Sequence, residues 1–213
     1  MLYRVKRIKR IKVKAVLITL GCCFIFAAAA LTVHNHRVSG QAGAKAAELS
    51  SQLLQMLENN AQSGDSRNED DTALSRLEIG ETEEIVTVDA GEYTVCGIVS
   101  IPSIGVELAV IDNWSYPKLQ ISANRYYGSP DTQLVIMAHN YARHFGKINQ
   151  LRPGDEVRFM DTQGTVYRYT VSETVSLASD QLREAVAGQD WDLTLFTCTY
   201  GGANRVVVRC RAG

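Results

Sequence analysis

TLFTCTYGGANRVVVRC, from Thr194 to Cys210, reads as two strands joined by a tight turn. An alternating run, Leu193 to Thr197, leads into Cys198, and a β-branched run follows from Val206 to Val208. Gly201-Gly202 between them supplies the turn of a β-hairpin. Cys198 ends the first strand and Arg205 opens the second, so a thiol and a guanidinium flank one short loop. Their side chains can reach the same space.

Outward from this hairpin the chain is a series of short strands. Tyr93 to Ile101 is an extended run closed by Pro102, a residue suited to a strand edge. Ile104-Gly105-Val106 with Leu108 to Ile111 predicts a second strand after a turn. Leu134 to Ala138 is a short continuous apolar run and predicts a buried strand. Phe145 to Leu151 predicts a helical turn, stopped by Pro153-Gly154. Glu156 to Met160 and Thr165 to Val175 predict another hairpin across Asp161 to Gly164. Ser179 to Ala187 predicts a short helix, capped by Ser179 or Asp180. Many short strands with little helix point to an all-β barrel or sandwich.

The segment before this domain is built differently. The chain has 213 residues, with 22 basic and 23 acidic side chains. Seven of the basic ones precede Ala15, where there is no acid, and the acidic excess falls between His34 and Glu92. From Tyr93 onward, 11 acids face 11 bases, so no basic surface for nucleic acid is expected. Ala15 to Val33 is uncharged and long enough to cross a bilayer core of about 30 Å. Small residues at Ala27 to Ala30 would suit a cleaved signal peptide, but the apolar run exceeds the usual core of one. An uncleaved anchor is the preferred reading, its basic flank placing residues 1–14 in the cytoplasm and everything after His34 outside. Residues 34–92 read as a juxtamembrane helix and an acidic linker. Leu49, Leu53, Met56 and Leu57 share one helix face, while Ala61 to Ser75 is polar and acidic. Ile85 to Val88 suits a short leading strand or the end of the linker. Residues 93–213 form the globular domain.

Beyond the anchor remain Cys96, Cys198 and Cys210, an odd number that leaves at least one thiol unpaired. Cys96 and Cys210 fall in predicted strands, either free and buried or joined to each other. No Cys/His spacing suggests a structural metal site. A catalytic thiol needs a base and donors for a developing oxyanion. His34 and His36 sit at the membrane exit, which leaves His139 and His144. His139 follows the buried run Leu134 to Ala138 and emerges from a strand end. His144 lies in a polar loop and reads as a solvated surface residue. Cys198 alone is as consistent with a buried structural cysteine as with a nucleophile. His139, Cys198 and Arg205 together are more specific, with Arg209, of the same strand parity, ranked behind Arg205.

Several stretches carry a resemblance: GIVSIPSIGV from Gly97 to Val106, VIMAHN from Val135 to Asn140, Phe145 with Leu151, Pro153-Gly154-Asp155, and TLFTC followed by Arg205-Val206-Val207-Val208. In this order, over Tyr93 to Arg211, they resemble sortases, membrane-anchored cysteine transpeptidases of mainly Gram-positive bacteria. Ala138 stands where that family usually has glycine. The resemblance implies an eight-stranded sortase-type β-barrel with short helices, preceded by a transmembrane helix and a helical or flexible stalk. It also implies Cys198 as nucleophile, His139 as general acid/base, Arg205 as stabiliser of the carbonyl or oxyanion, and Thr197 as a substrate-positioning residue acting through its hydroxyl or backbone. No cofactor or metal is implied. The expected partners are secreted proteins with a C-terminal LPxTG-like sorting signal, and a peptidoglycan-precursor or pilin amine as acceptor.

Two rival readings are weaker. A papain-like hydrolase places cysteine before histidine, whereas here the order is His139, Cys198, Arg205, and a caspase-like signature is absent. A non-catalytic surface binding domain would use Cys198 only for packing.

Overall fold

The computed structural model describes residues 2–63, 85–182 and 191–213. Most of the acidic linker and residues 183–187 of the short helix expected from Ser179 lie outside these. Two compact units are present, residues 1–41 and 42–213. Helix α1, Leu2–Ser63, contributes to both. Its apolar stretch begins at Val16 and is long enough to cross a membrane by length and composition, with Phe24, Ile25 and Phe26 exposed.

The second unit is a closed barrel. Strand β1 spans Val88–Ala90, β2 Tyr93–Ile101 and β3 Val106–Ile111; after the short helix α2, Tyr116–Leu119, come β4 Ala123–Tyr127 and β5 Leu134–Met137. Then follow β6 Glu156–Asp161, β7 Val166–Ala178, β8 Leu193–Cys198 and β9 Asn204–Ala212. The order is β2-β3-β4-β5-β8-β9-β7-β6, and β6 pairs back onto β2 from Gly97↔Asp161 to Ser100↔Arg158. Eight strands thus close on one another, with β1 added along β2. This is the eight-stranded barrel that the resemblance implies, where the strand pattern alone leaves barrel and sandwich open, and closure leaves these strands without a free sheet edge. The predicted turn from Phe145 is a 3₁₀ helix, Phe145–Gln150, and Pro102–Ile104 forms another.

Period-2 alternation sends one set of side chains inward. Leu134 and Ile136 of β5, Leu193 and Leu195 of β8, Val208 of β9 and Phe159 of β6 share the barrel core. β2 and β3 are apolar on both faces because both are covered. Val95, Ile98, Ala109 and Ile111 pack beneath Leu49 and Leu53 of α1, with Met56 and Leu57 partly buried beside them. The apolar helix face marked by its spacing therefore lies against the barrel. Its polar residue is also used. On β3, β4 pairs only with Val110 and Ile111, so the peptide groups of Ala109 on that side need other partners. The buried Ser50 Oγ accepts from Ala109 N at 2.8 Å, and Ser122 Oγ donates to Ala109 O at 2.6 Å.

The segment 112–133, for which the sequence carried no strand expectation, contains both α2 and β4. Asn124 is fully buried in β4 because its Oδ1 accepts from Ser115 N and its Nδ2 donates to Ser122 O.

Leu53 is fully buried between helix and barrel, so Leu53→Ala leaves a cavity there. The expected loss is about 2–5 kcal/mol of unfolding free energy, measured by chemical denaturation. Leu54→Ala, on a half-buried neighbour, should cost clearly less.

Candidate active site

The parallel joint between β5 and β8 fixes the site. Its register runs Leu134↔Leu193 to Met137↔Phe196, and both strands end in the same direction. Beyond Met137, Ala138 N donates to Phe196 O at 3.3 Å, and Thr197 Oγ1 donates to Ala138 O at 2.8 Å. Carried on by two residues, this register sets His139 level with Cys198. On the other side, β8 and β9 are antiparallel and Cys198 lies directly opposite Arg205.

Alternation decides which face these residues share. Leu193 and Leu195 point into the core, whereas Phe196 packs outside it with Val135, Met137 and Val207. Cys198 has the parity of Phe196, His139 that of Met137 and Arg205 that of Val207. All three belong to the same outer face, at the end of three adjacent strands. The loop between Cys198 and Arg205 turns through Gly201 and Gly202, both at positive φ (83° and 74°), a conformation that favours glycine.

Each side chain has its own support. Cys198 is a free thiol, half-buried. Arg205 Nη1 donates to Gly202 O at 2.8 Å and Asn204 O at 3.1 Å, which holds the guanidinium over the loop. Nδ1 of His139 accepts from Asn140 N at 3.1 Å and lies 3.0 Å from Asn140 Oδ1. The His139 ring is stacked on Tyr141, with centroids 4.1 Å apart and planes 4° from parallel. Sequence reasoning did not single out Asn140 or Tyr141; the only signal for them was their position directly after the strand-end histidine. Thr197 is buried and its hydroxyl is engaged with Ala138, while its backbone lies opposite Val206 of β9. Arg209 is bonded to Glu173 Oε1 at 2.6 Å and lies opposite Thr194, away from the strand end.

The other two thiols of the domain differ in kind. Cys96 and Cys210 are free, fully buried and not bridged. Burial pushes each thiol up to about 12, so neither supplies a thiolate near neutral pH.

His144 corrects the expectation of a solvated residue: it is completely buried. Among the described residues neither ring nitrogen meets a full hydrogen-bond partner. Burial lowers its pKa from 6.5 to about 4, with the Ala42 backbone offsetting part of the effect and the nearby His139 adding to it. Among the described residues no cluster of His, Cys, Asp and Glu could hold a metal ion.

A family model, Sortase domain, matches residues 99–212, more than half of the chain. The chain belongs to the sortase family. Solved structures agree in fold. Sortase A from Corynebacterium diphtheriae is 21% identical with a TM-score of 0.52, over 58% of this chain and 62% of that one. Sortase C1 from Streptococcus agalactiae is 26% identical with a TM-score of 0.53, over 62% and 72%. A Clostridium perfringens Sortase D5 transpeptidase is 18% identical with a TM-score of 0.56, over 78% and 99%. No curated protein matches the sequence.

Two outcomes follow from these environments. In the folded protein at pH 8, iodoacetamide should modify Cys198, and Cys96 and Cys210 should react only after denaturation, as read by peptide mass mapping. Between about pH 6.5 and 4 the unfolded chain takes a proton at His144 that the folded chain refuses. Stability should therefore fall as pH drops through that window, by up to about 1.4 kcal/mol per pH unit. Denaturation midpoints of His144→Phe should show a shallower acid slope.

Proposed function

We propose that this chain is a cysteine transpeptidase that cleaves a C-terminal LPxTG-like sorting signal and joins the protein to an amine. The observation that supports this best is the strand register that brings Cys198, His139 and Arg205 to one face. Cys198 Sγ attacks the carbonyl carbon of a Thr-Gly-like bond, and Arg205 donates to the oxyanion that forms. The C–N bond then breaks, His139 protonates the departing amine, and a thioester to Cys198 remains. An incoming amine attacks that thioester, His139 takes its proton, and the thiolate leaves. Asn140 serves His139 in either protonation state: its N–H meets the Nδ1 lone pair, and its Oδ1 accepts an Nδ1 proton. With the proton on Nδ1, Nε2 is free for transfer.

Val135, Phe196 and Val207 form a buried apolar bed beneath this face, and the half-buried Met137 and Leu177 packed on it are the side chains left to meet the apolar residues of a sorting signal. Thr197 positions the substrate through its backbone. The acceptor is a peptidoglycan-precursor or pilin amine. The apolar stretch of α1 anchors the protein as a single span in the cell membrane, residues 1–14 inside and the domain outside, where translocated substrates emerge.

The test is mass spectrometry of the detergent-solubilised chain with a sorting-signal peptide and an amine. An amine-linked product is expected, and cleavage to the free acid alone would indicate a hydrolase. Cys198→Ala should abolish the product while Cys210→Ala retains it. Arg205→Ala should lower kcat/KM by about 10²–10³-fold. Full activity in Cys198→Ala would overturn the mechanism.

A further inference from the structure

We propose that Tyr141 is a positioning residue for His139: its ring fixes the plane of the imidazole and favours the protonated form. The catalytic part of this inference rests on the function proposed above. The face of an aromatic ring carries partial negative charge, so a cation placed over it is stabilised. Tyr141 offers that face to His139 in a parallel stack at 4.1 Å. A stack of this kind also restricts rotation of the imidazole, which a proton carrier needs if the same nitrogen is to meet Cys198 and the leaving amine.

Tyr141 is itself held. Its carbonyl accepts from His144 N at 2.9 Å and Gly146 N at 3.0 Å, and His139 O accepts from Phe145 N at 3.1 Å. The segment 139–146 is thereby closed on itself. His144 presses on the Tyr141 ring from the buried side, with centroids 5.4 Å apart and planes at 55°. Behind it stands α1. Ala46 joins Phe145 and Ile148 in the core, and a Cβ at Gly43 would run into the side chain of Arg143.

Charges of both signs surround the ring, the arginines opposing a further positive charge there and a Cys198 thiolate favouring it. The titratable and charged groups around His139 are Cys198 from β8, Arg205 from β9, and Tyr141, Arg143 and His144 of its own segment. His144 sits close enough to His139 for charge on one to disfavour charge on the other, and its burial keeps it neutral.

The experiment is an NMR titration of His139 in the full chain in micelles, run beside steady-state kinetics. Tyr141→Phe keeps the ring face and should leave both readouts near wild type. Tyr141→Leu should lower the His139 pKa by about 0.5–1.5 units. It should also reduce kcat about tenfold, with KM within twofold. Tyr141→Met, which keeps bulk without a ring, is measured alongside and should behave as Tyr141→Leu. An unchanged His139 pKa in both ring-less variants would overturn the proposal. Full activity in His139→Ala would instead sink the catalytic reading, and the NMR shift would still decide whether Tyr141 favours the protonated ring.

Discussion

The joint between β5 and β8 is the constraint on which the rest depends. Parallel pairing needs a crossover, and here the chain between the two strands builds β6 and β7 before returning. The reward is that two strands from distant parts of the sequence end side by side, in the same direction. Thr197 and Ala138 lock that end with a buried hydroxyl-to-carbonyl bond. A slip of one residue would turn His139 or Cys198 inward, because side chains alternate along a strand. The register is held by Leu134, Ile136, Leu193 and Leu195, which must all stay in the core.

Three cysteines share this domain, and environment alone separates them. Cys96 and Cys210 point into apolar surroundings that disfavour a thiolate. Cys198 lies on the opposite side of its strand, beside a cation and a histidine at a loop. The same alternation that builds the core thus selects which thiol is available to react. Histidine is divided likewise: His139 meets the surface with partners for Nδ1, while His144 is sealed within.

Much of this was legible because it is local and periodic. The β8–β9 hairpin, the β6–β7 hairpin and the apolar run of β5 announce themselves through alternation, β-branching and turn glycines. The grouping of His139, Cys198 and Arg205 at strand ends follows from the same signals. What escaped is non-local. β4, with the sequence ANRYY, has only two partners on β3 and a buried asparagine, so neither hydrophobicity nor length betrays it. His144 stands among polar neighbours, yet it is buried by packing that includes α1, far earlier in the chain. The spacing of Leu49 and Leu53 revealed an apolar helix face but not its counterpart on β2 and β3. That Asn140 and Tyr141 would serve His139 depends on how segment 139–146 closes, which composition does not encode.

The parked guanidinium of Arg205 bears on when it acts. In the resting protein one of its nitrogens, Nη1, is given to two neutral carbonyls, Gly202 O and Asn204 O. A neutral substrate carbonyl is no better an acceptor than these and gains nothing by competing for it. An oxyanion is better, since its negative charge adds a Coulombic attraction to the guanidinium that a neutral carbonyl lacks. In the proposed reaction the exchange is therefore downhill only after attack has begun. Binding alone would leave the arginine on its loop, and its stabilisation would be withheld from the ground state and delivered to the transition state.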